Sequence, residues 1–277
     1  MRLNDWKHYN HMLLPKCAPH QTPDISIIEN QDIWKISKGI FLVRYTTNFD
    51  CGFETNWWYI IKDTPFDIQS LKSNRRYEIN KGNRNFCVKR INPADYIEQI
   101  YEVQKVSYLT YPAKYRPDLP EKEAFLSATK MWEHYTVYAA FSNDNQKLCG
   151  FIAAIQHESY IELSMQKVIP EYEKQNINFA LLNYFLVDNK AFLQNGGYIC
   201  DGERNISHES AFQDFLEKYF GFRKAFCKLN VVYNPKIKRL IKIIFPFRSI
   251  LKRFDGIRKI HQLNSVLKME DAVRKQV

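Results

Sequence analysis

With 277 residues, 45% of them hydrophobic and 15% aromatic, the chain has the length and apolar content for a packed core, which excludes a disordered or fibrous protein. No stretch approaches the roughly 20 apolar residues that span a bilayer, and the six cysteines are scattered, with no C-x-x-C pair, so they read as free thiols of a cytoplasmic protein. The net charge of +10 is concentrated: twelve Lys and Arg against three Asp and Glu give Pro235 to Val277 a net +9, leaving +1 for the other 234 residues.

In chain order, QDIWKISKGIFLVRYTT (31–47) reads as a hairpin, two apolar-rich runs around a Lys38-Gly39 turn. NWWYIIKD (56–63) reads as a strand in which Trp57, Trp58 and Tyr59 alternate between faces, so Trp58 is open either to core packing or to stacking on a sugar. DIQSLKSNRRYEINKG (67–82) reads as a helix, with Asp67 as N-cap and Gly82 as its stop. Lys72, Arg75 and Arg76 lie three and four residues apart and share one face. That face is either a solvated basic surface or a clamp for a phosphorylated acceptor.

NFCVKRI (85–91) is a short strand, after which Asn92 caps and Pro93 opens a helix reaching Leu109. EKEAFLSATKMWEHY (121–135) reads as a second helix. Three strands follow, TVYAAF (136–141), KLCGFIAAIQ (147–156) and SYIELSMQKVI (159–169), the first two joined by a polar Asn143-Asp144-Asn145 turn. A helix over 178–195 ends at Gly196-Gly197, and YICD (198–201) is the next strand. A helix opened by Ser207, with Glu209 nearby, stops at Gly221, and a closing strand runs over 222–233. From residue 85 the order is β-α-α-β-β-β-α-β-α-β, an α/β (α+β) chain with a mixed, mostly antiparallel sheet covered by helices.

VIPEYEKQNINFALL (168–182) resembles the V-x-P-E-Y-R-G-x-G-I-G-x-x-L-L turn of the GNAT superfamily of N-acyltransferases, with Val168, Pro170, Glu171, Tyr172, Ile177, Leu181 and Leu182 on pattern. FLEKYFGFRK (215–224) resembles that superfamily's Y-E-K-x-G-F signature. The resemblance implies a GNAT-like domain over 85–234, preceded by a strand extension and basic helix (1–84) and followed by a basic amphipathic tail (235–277). It implies no tightly bound cofactor but acyl-CoA, acetyl-CoA included, as co-substrate, with its pyrophosphate at a helix N-terminus. Gln166, Val168, Asn176, Ile177 and Asn178 are then the donor site. Asn176 and Asn178 stand where the pattern has glycine, and Glu173 where it has arginine. Asparagine is the best non-glycine residue for left-handed backbone, so the turn survives, while Glu173 brings a negative charge beside the pyrophosphate.

The chain also resembles the Fem-like branch of the superfamily, which lacks the glycine-rich turn. Asn178 before Leu181-Leu182, Asp201-Gly202 in ICDGERN (199–205) and the basic helix at 67–82 carry that likeness. It implies an acceptor among cell-envelope or polysaccharide precursors, with aminoacyl-tRNA as the alternative donor.

Amide formation needs a neutral amine, a group that takes its proton, and donors for the developing oxyanion. In HESYIEL (157–163), Glu158, Tyr160 and Glu162 recur at period two and share a face, either solvent-facing or supplying a base to a cleft. At the end of the next strand, where α/β sheets bind ligands, Asp201 and Glu203 offer carboxylates and Arg204 a clamp, or together a polar loop. Tyr219 lies close to the register of the signature's catalytic tyrosine. His134 and His157 read as structural, and no metal site is expected.

In the tail, Phe247, Ile250, Leu251, Phe254 and Ile257 recur at helical spacing among Arg248, Lys252, Arg253, Arg258 and Lys259. Such a helix lies on an anionic membrane at its inner face, docks on the protein's own sheet, or pairs with a second subunit in a homodimer. Nucleic acid other than tRNA is not expected, because no recognition motif accompanies the charge. The predicted activity is acyl transfer to the amine of a small acceptor, such as a phosphorylated or lipid-linked sugar. A catalytically idle GNAT fold at a membrane, or an electrostatic nucleic-acid binder, are the alternatives.

Overall fold

The structure, a computed structural model, describes residues 5–30, 33–36, 39–144, 146–206 and 211–276. The chain packs as two compact units, one of residues 1–59, 203–210 and 224–277, the other of residues 60–202 and 211–223. Strands in chain order are β1 (Trp6–Tyr9), β2 (Met12–Pro15), β3 (Leu42–Thr47), β4 (Trp57–Lys62) and β5 (Phe86–Ile91). They continue as β6 (Thr136–Ser142), β7 (Leu148–Gln156), β8 (Tyr160–Val168), β9 (Tyr198–Glu203) and β10 (Arg223–Tyr233). Helices are α1 (Ser26–Glu29), α2 (Ile33–Ile36), α3 (Ser73–Asn85), α4 (Ile97–Leu109), α5 (Lys122–Ser127) and α6 (Ile177–Asp188). After them come α7 (Lys190–Gln194), α8 (Phe212–Phe220), α9 (Pro235–Ile244), α10 (Arg248–Lys252) and α11 (Arg258–Arg274).

In the first unit, β2 pairs with β1 antiparallel and with β3 in parallel, and β3 pairs antiparallel with β10. The β1–β2 hairpin was not anticipated. Its two-residue loop, Asn10-His11, takes φ of 44° and 63°, the doubly left-handed turn usually marked by a glycine that is missing here. The predicted hairpin over 31–47 is half right. Its second run is β3, but the first contains the helical turn α2, whose Ile33 is fully buried with Trp6, Leu13, Ile27, Ile28 and Val43. A short apolar run satisfies a helical turn as well as a strand, and burial decides between them. Lys38, the turn residue, lies outside the described residues.

In the second unit the strands run β9-β8-β7-β6-β5. The pairs from β5 to β8 are antiparallel, and β9 is parallel to β8. β7 is a nearly unbroken apolar run because both its faces are covered. Ile100 and Val103 of α4 pack with Trp132, Phe141 and Phe151 in one cluster. On α6, Ile177, Ala180, Leu181, Leu182 and Phe185 are each 0% exposed, as expected of a helix that is apolar nearly all round. From β5 to β10 the order of elements is the one the sequence predicts, except that two helices, α6 and α7, stand where one was expected.

Four local expectations are corrected. The helix begins at Ser73, Asp67 instead capping a short 3₁₀ turn over Ile68–Ser70, and Gly82 lies inside α3 rather than ending it. The helix expected over 121–135 divides into α5 and a 3₁₀ turn, Thr129–Trp132. The helix over 178–195 breaks at Asn189 into α6 and α7. Glu158 sits exposed in the turn before β8, so it does not share a strand face with Tyr160 and Glu162. Ser207 and Glu209 lie outside the described residues, while α8 ends at Gly221 (φ +67°) as predicted.

Candidate functional site

The second unit holds a pair of parallel strands that part. β8 and β9 pair at Tyr160–Tyr198, Ile161–Ile199 and Glu162–Cys200, and the register goes no further. Yet β8 runs on to Val168 and β9 to Glu203. On its other side β8 stays paired with β7 as far as Val168–Gly150. Ala153 faces Met165 while Ala154 faces Leu163, so Ser164 is an extra residue, a β-bulge that strengthens the local twist just where the strands separate. Between Leu163 and Val168, backbone groups of β8 therefore face a gap at the carboxyl end of a parallel pair, the usual ligand position of α/β sheets.

The turn after β8 leads into α6. A 3₁₀ stretch, Pro170–Gln175, ends at Asn176, whose backbone is left-handed (φ 67°, ψ 34°) as the sequence leads one to expect. The carbonyl of Asn176 accepts from Phe179 N (3.1 Å) and Ala180 N (3.2 Å). The first N–H groups of α6 have no intrahelical acceptor, and no side chain caps them. The partial positive charge of a helix start is thus left for a ligand. Glu171 and Glu173 are both solvent-exposed, where water and salt weaken their field.

α3 holds this turn in place. Asn176 Nδ2 donates to Glu78 O (3.0 Å), and Lys81 Nζ and Asn85 Nδ2 donate to the carbonyls of Lys174 (3.2 Å) and Gln175 (3.0 Å). Gly82 makes the contact feasible: a Cβ there would stand 2.5 Å from Asn176 O and 3.1 Å from Ala180 N. That close approach is the physical reason why a glycine predicted as a helix stop lies in a helix interior.

Of the residues predicted for the donor, Gln166 and Asn178 meet directly, Gln166 Nε2 donating to Asn178 Oδ1 at 2.6 Å. Gln166 Oε1 is shielded from solvent and has no donor among the described residues. Val168 and Ile177 are buried on either side of the turn. Around the first turn of α6 the structure also gathers Tyr219, its ring 5.1 Å from Phe179, and Arg75, whose guanidinium stacks 4.1 Å from the Tyr219 ring. Arg75 also contacts Glu78 at 3.4 Å. Arg76 directs its guanidinium to the carbonyls of Leu71 (2.6 Å) and Gln69 (3.2 Å), a role in closing the start of α3. Lys72 is exposed at that helix start.

Across the gap, Asp201 is the first residue of β9 beyond its last pair with β8. Desolvation pushes its carboxyl up to about 7, against which a hydrogen bond from Gln213 Nε2 (3.3 Å) of α8 works only partly. A carboxyl that exchanges its proton near neutrality is what a general base requires. The sequence reading placed Asp201 with the substrate contacts and did not single out Gln213; a carboxylate directly after the apolar YIC run is the signal that was available. Glu162, at the paired end of β8, accepts from Ser164 Oγ (3.0 Å) and lies 3.7 Å from His157 Nε2.

The other predicted groups belong to the first unit. Glu203 is tied through Oε1 to Arg44 (3.2 Å) and through Oε2 to the indole N–H of Trp57 (2.8 Å). The half-buried ring of Trp58 is covered by the guanidinium of Arg204 at 4.5 Å and the ammonium of Lys224 at 4.7 Å, and Arg204 Nη1 donates to Asn56 O (2.6 Å). Trp57 is the core tryptophan, 0% exposed. This unit also has a depression of about 670 Å³ beside the β1–β2 hairpin, lined by Trp6, Cys17 and Asp24 among others. Among the described residues no group of three His, Cys, Asp or Glu could hold a metal ion, and no helix is long and apolar enough to cross a membrane.

No protein-family model matches this sequence, and no curated protein does. Solved structures do. L-PGS from Bacillus licheniformis is similar at 13% identity and a TM-score of 0.54, over 86% of this chain and 83% of that one. A C-terminal domain (DUF2156) from Agrobacterium fabrum matches at 9% identity and a TM-score of 0.49, over 86% and 82%. The PaiA N-acetyltransferase of Thermoplasma acidophilum, solved with coenzyme A, matches at 21% identity and a TM-score of 0.31, over 40% and 74%. The likeness to L-PGS shows the fold alone: this chain has a GNAT-like architecture.

Proposed function

We propose that the chain is a GNAT-type transferase that moves an acyl group onto an amine, with the reaction in the gap where β8 and β9 part. The observation that carries this reading is the placement of Asp201, a carboxyl poised near pH 7, on β9 directly after its last pair with β8. Asp201 takes the proton of the attacking amine as the new C–N bond forms, and returns a proton to the leaving group as its bond to the acyl carbon breaks. The donor supplies an activated acyl group. An amide-bearing arm along β8 fits the site, because Gln166 Oε1 awaits a donor and the strand edge is open. The uncapped start of α6 suits an anionic end of the same molecule.

Acyl-CoA is the donor that these features favour, and an amine of a cell-envelope precursor, such as an amino sugar, is the proposed acceptor. Lys72 and Arg75 at the start of α3 would give a phosphorylated acceptor its countercharge. The Fem-like likeness of Asn178 before Leu181-Leu182 and of Asp201-Gly202 supports a second reading, in which the donor is aminoacyl-tRNA. Titration with acetyl-CoA and longer acyl-CoAs separates the two: saturable binding that Asn178→Asp weakens supports the first, and no binding at any chain length removes it. Turnover by Asp201→Asn equal to wild type would remove the assignment of the base.

A further inference from the structure

We infer that the segment from Pro235 to Lys259, in the first unit, is a docking surface for an anionic phospholipid bilayer. The sequence pattern alone left open whether its apolar residues pack inward or outward. The structure divides them into two sets. Ile241 and Phe245 are buried with Leu267 of α11, and Ile237, Ile244 and Leu251 pack against that cluster. Leu240, Ile243, Phe247, Ile250, Phe254 and Ile257 are instead 47–66% exposed. Their spacing of three, four, three, four and three residues is that of one continuous helical stripe. α9, a 3₁₀ turn over Phe245–Phe247 and α10 follow one another without an intervening loop, and hydrogen-bonded turns continue from Lys252 to Ile257.

Charge selects the occupant. Residues 235–259 hold nine Lys and Arg and a single acid, Asp255. The carboxylate of Asp255 is turned toward His261 Nδ1 (3.0 Å) and Asn264 Nδ2 (2.9 Å) of α11. Lys238, Arg239, Lys242, Lys252 and Arg253 are solvent-exposed. A second copy would bring a face of the same strong positive charge and be repelled. A nucleic acid would match the charge but leave the apolar stripe in water. An anionic bilayer offers phosphates and an apolar boundary at once, and a basic helix with bulky apolar side chains lies in such an interface. Docking of this kind requires no catalysis by the second unit, so its test is independent of the proposed activity.

The test is co-sedimentation of the full chain with vesicles of phosphatidylcholine alone and of phosphatidylcholine mixed with phosphatidylglycerol. Binding should be at least about tenfold tighter to the anionic vesicles, weaken with salt, and fall at least about tenfold in the triple variant Ile243→Ser, Phe247→Ser, Ile250→Ser. These side chains are exposed, so the variant should keep the wild-type thermal midpoint, measured by circular dichroism. Absent binding, equal binding to both vesicles, or undiminished binding by the triple variant each overturn the proposal. So does a wild-type dimer, seen by light scattering, that the triple variant converts to a monomer, since the stripe would then be covered by a second copy.

Discussion

Replacing Asp201 by asparagine should make the protein more stable at alkaline pH and no more stable at acid pH. A free aspartate titrates near 3.9, and desolvation carries Asp201 up to about 7. The folded state then binds the proton more tightly than the unfolded chain. That penalty is absent below about pH 4, grows as pH rises toward 7, and is complete above it. A tenfold change in proton affinity is worth about 1.4 kcal/mol, so the shift caps the penalty at roughly 4 kcal/mol. The side chain is not wholly enclosed and Gln213 donates to it, which brings the expected gain to about 1–2 kcal/mol for an uncharged isostere at pH 8. Urea unfolding of both proteins at pH 4 and pH 8 reads the effect directly. Equal stability differences at the two pH values would show that the carboxyl carries no burial penalty, and the reasoning that makes Asp201 a base would fail with it. In a transfer assay the wild-type rate should rise with pH through about 7, and the Asp201→Asn rate should be low and flat.

Gly82→Ala tests the clamp on the turn. Helix propensity favours alanine by about 1 kcal/mol, but the new Cβ would meet backbone 2.5 Å away. We expect a net loss of about 1–2 kcal/mol by thermal unfolding; an unchanged or raised midpoint would mean α3 and α6 are not in that contact. Asn176→Ala should cost about 2 kcal/mol, from left-handed strain and the lost bond to Glu78 O, while Asn176→Gly should stay within about 1 kcal/mol of wild type. Equal losses in both variants would refute a conformational role for this asparagine. Asn178→Asp should leave stability unchanged or raised by about 0.3–1 kcal/mol, since an acid suits a helix start, yet weaken an anionic donor by about tenfold in calorimetry.

The sequence by itself determined the element order from β5 to β10, apart from the break between α6 and α7, because strands with near-continuous apolar runs and helices with marked starts and stops are local signals. It also determined that Asn176 would be left-handed, a property of one residue type in one turn, and that the tail is basic. Only the tertiary structure decided the rest. Gly82 reads locally as a stop and is instead a point of contact between two helices. Asp201 and Glu203 are two residues apart on one strand and chemically alike in sequence. Burial raises the proton affinity of Asp201, while Arg44 and the Trp57 indole bind both oxygens of Glu203. Proton affinity and ion pairing depend on neighbours far away in the chain. The parting of β8 from β9 likewise follows from where pairing ends. The two apolar stripes of the tail became distinguishable only once one of them was packed against α11.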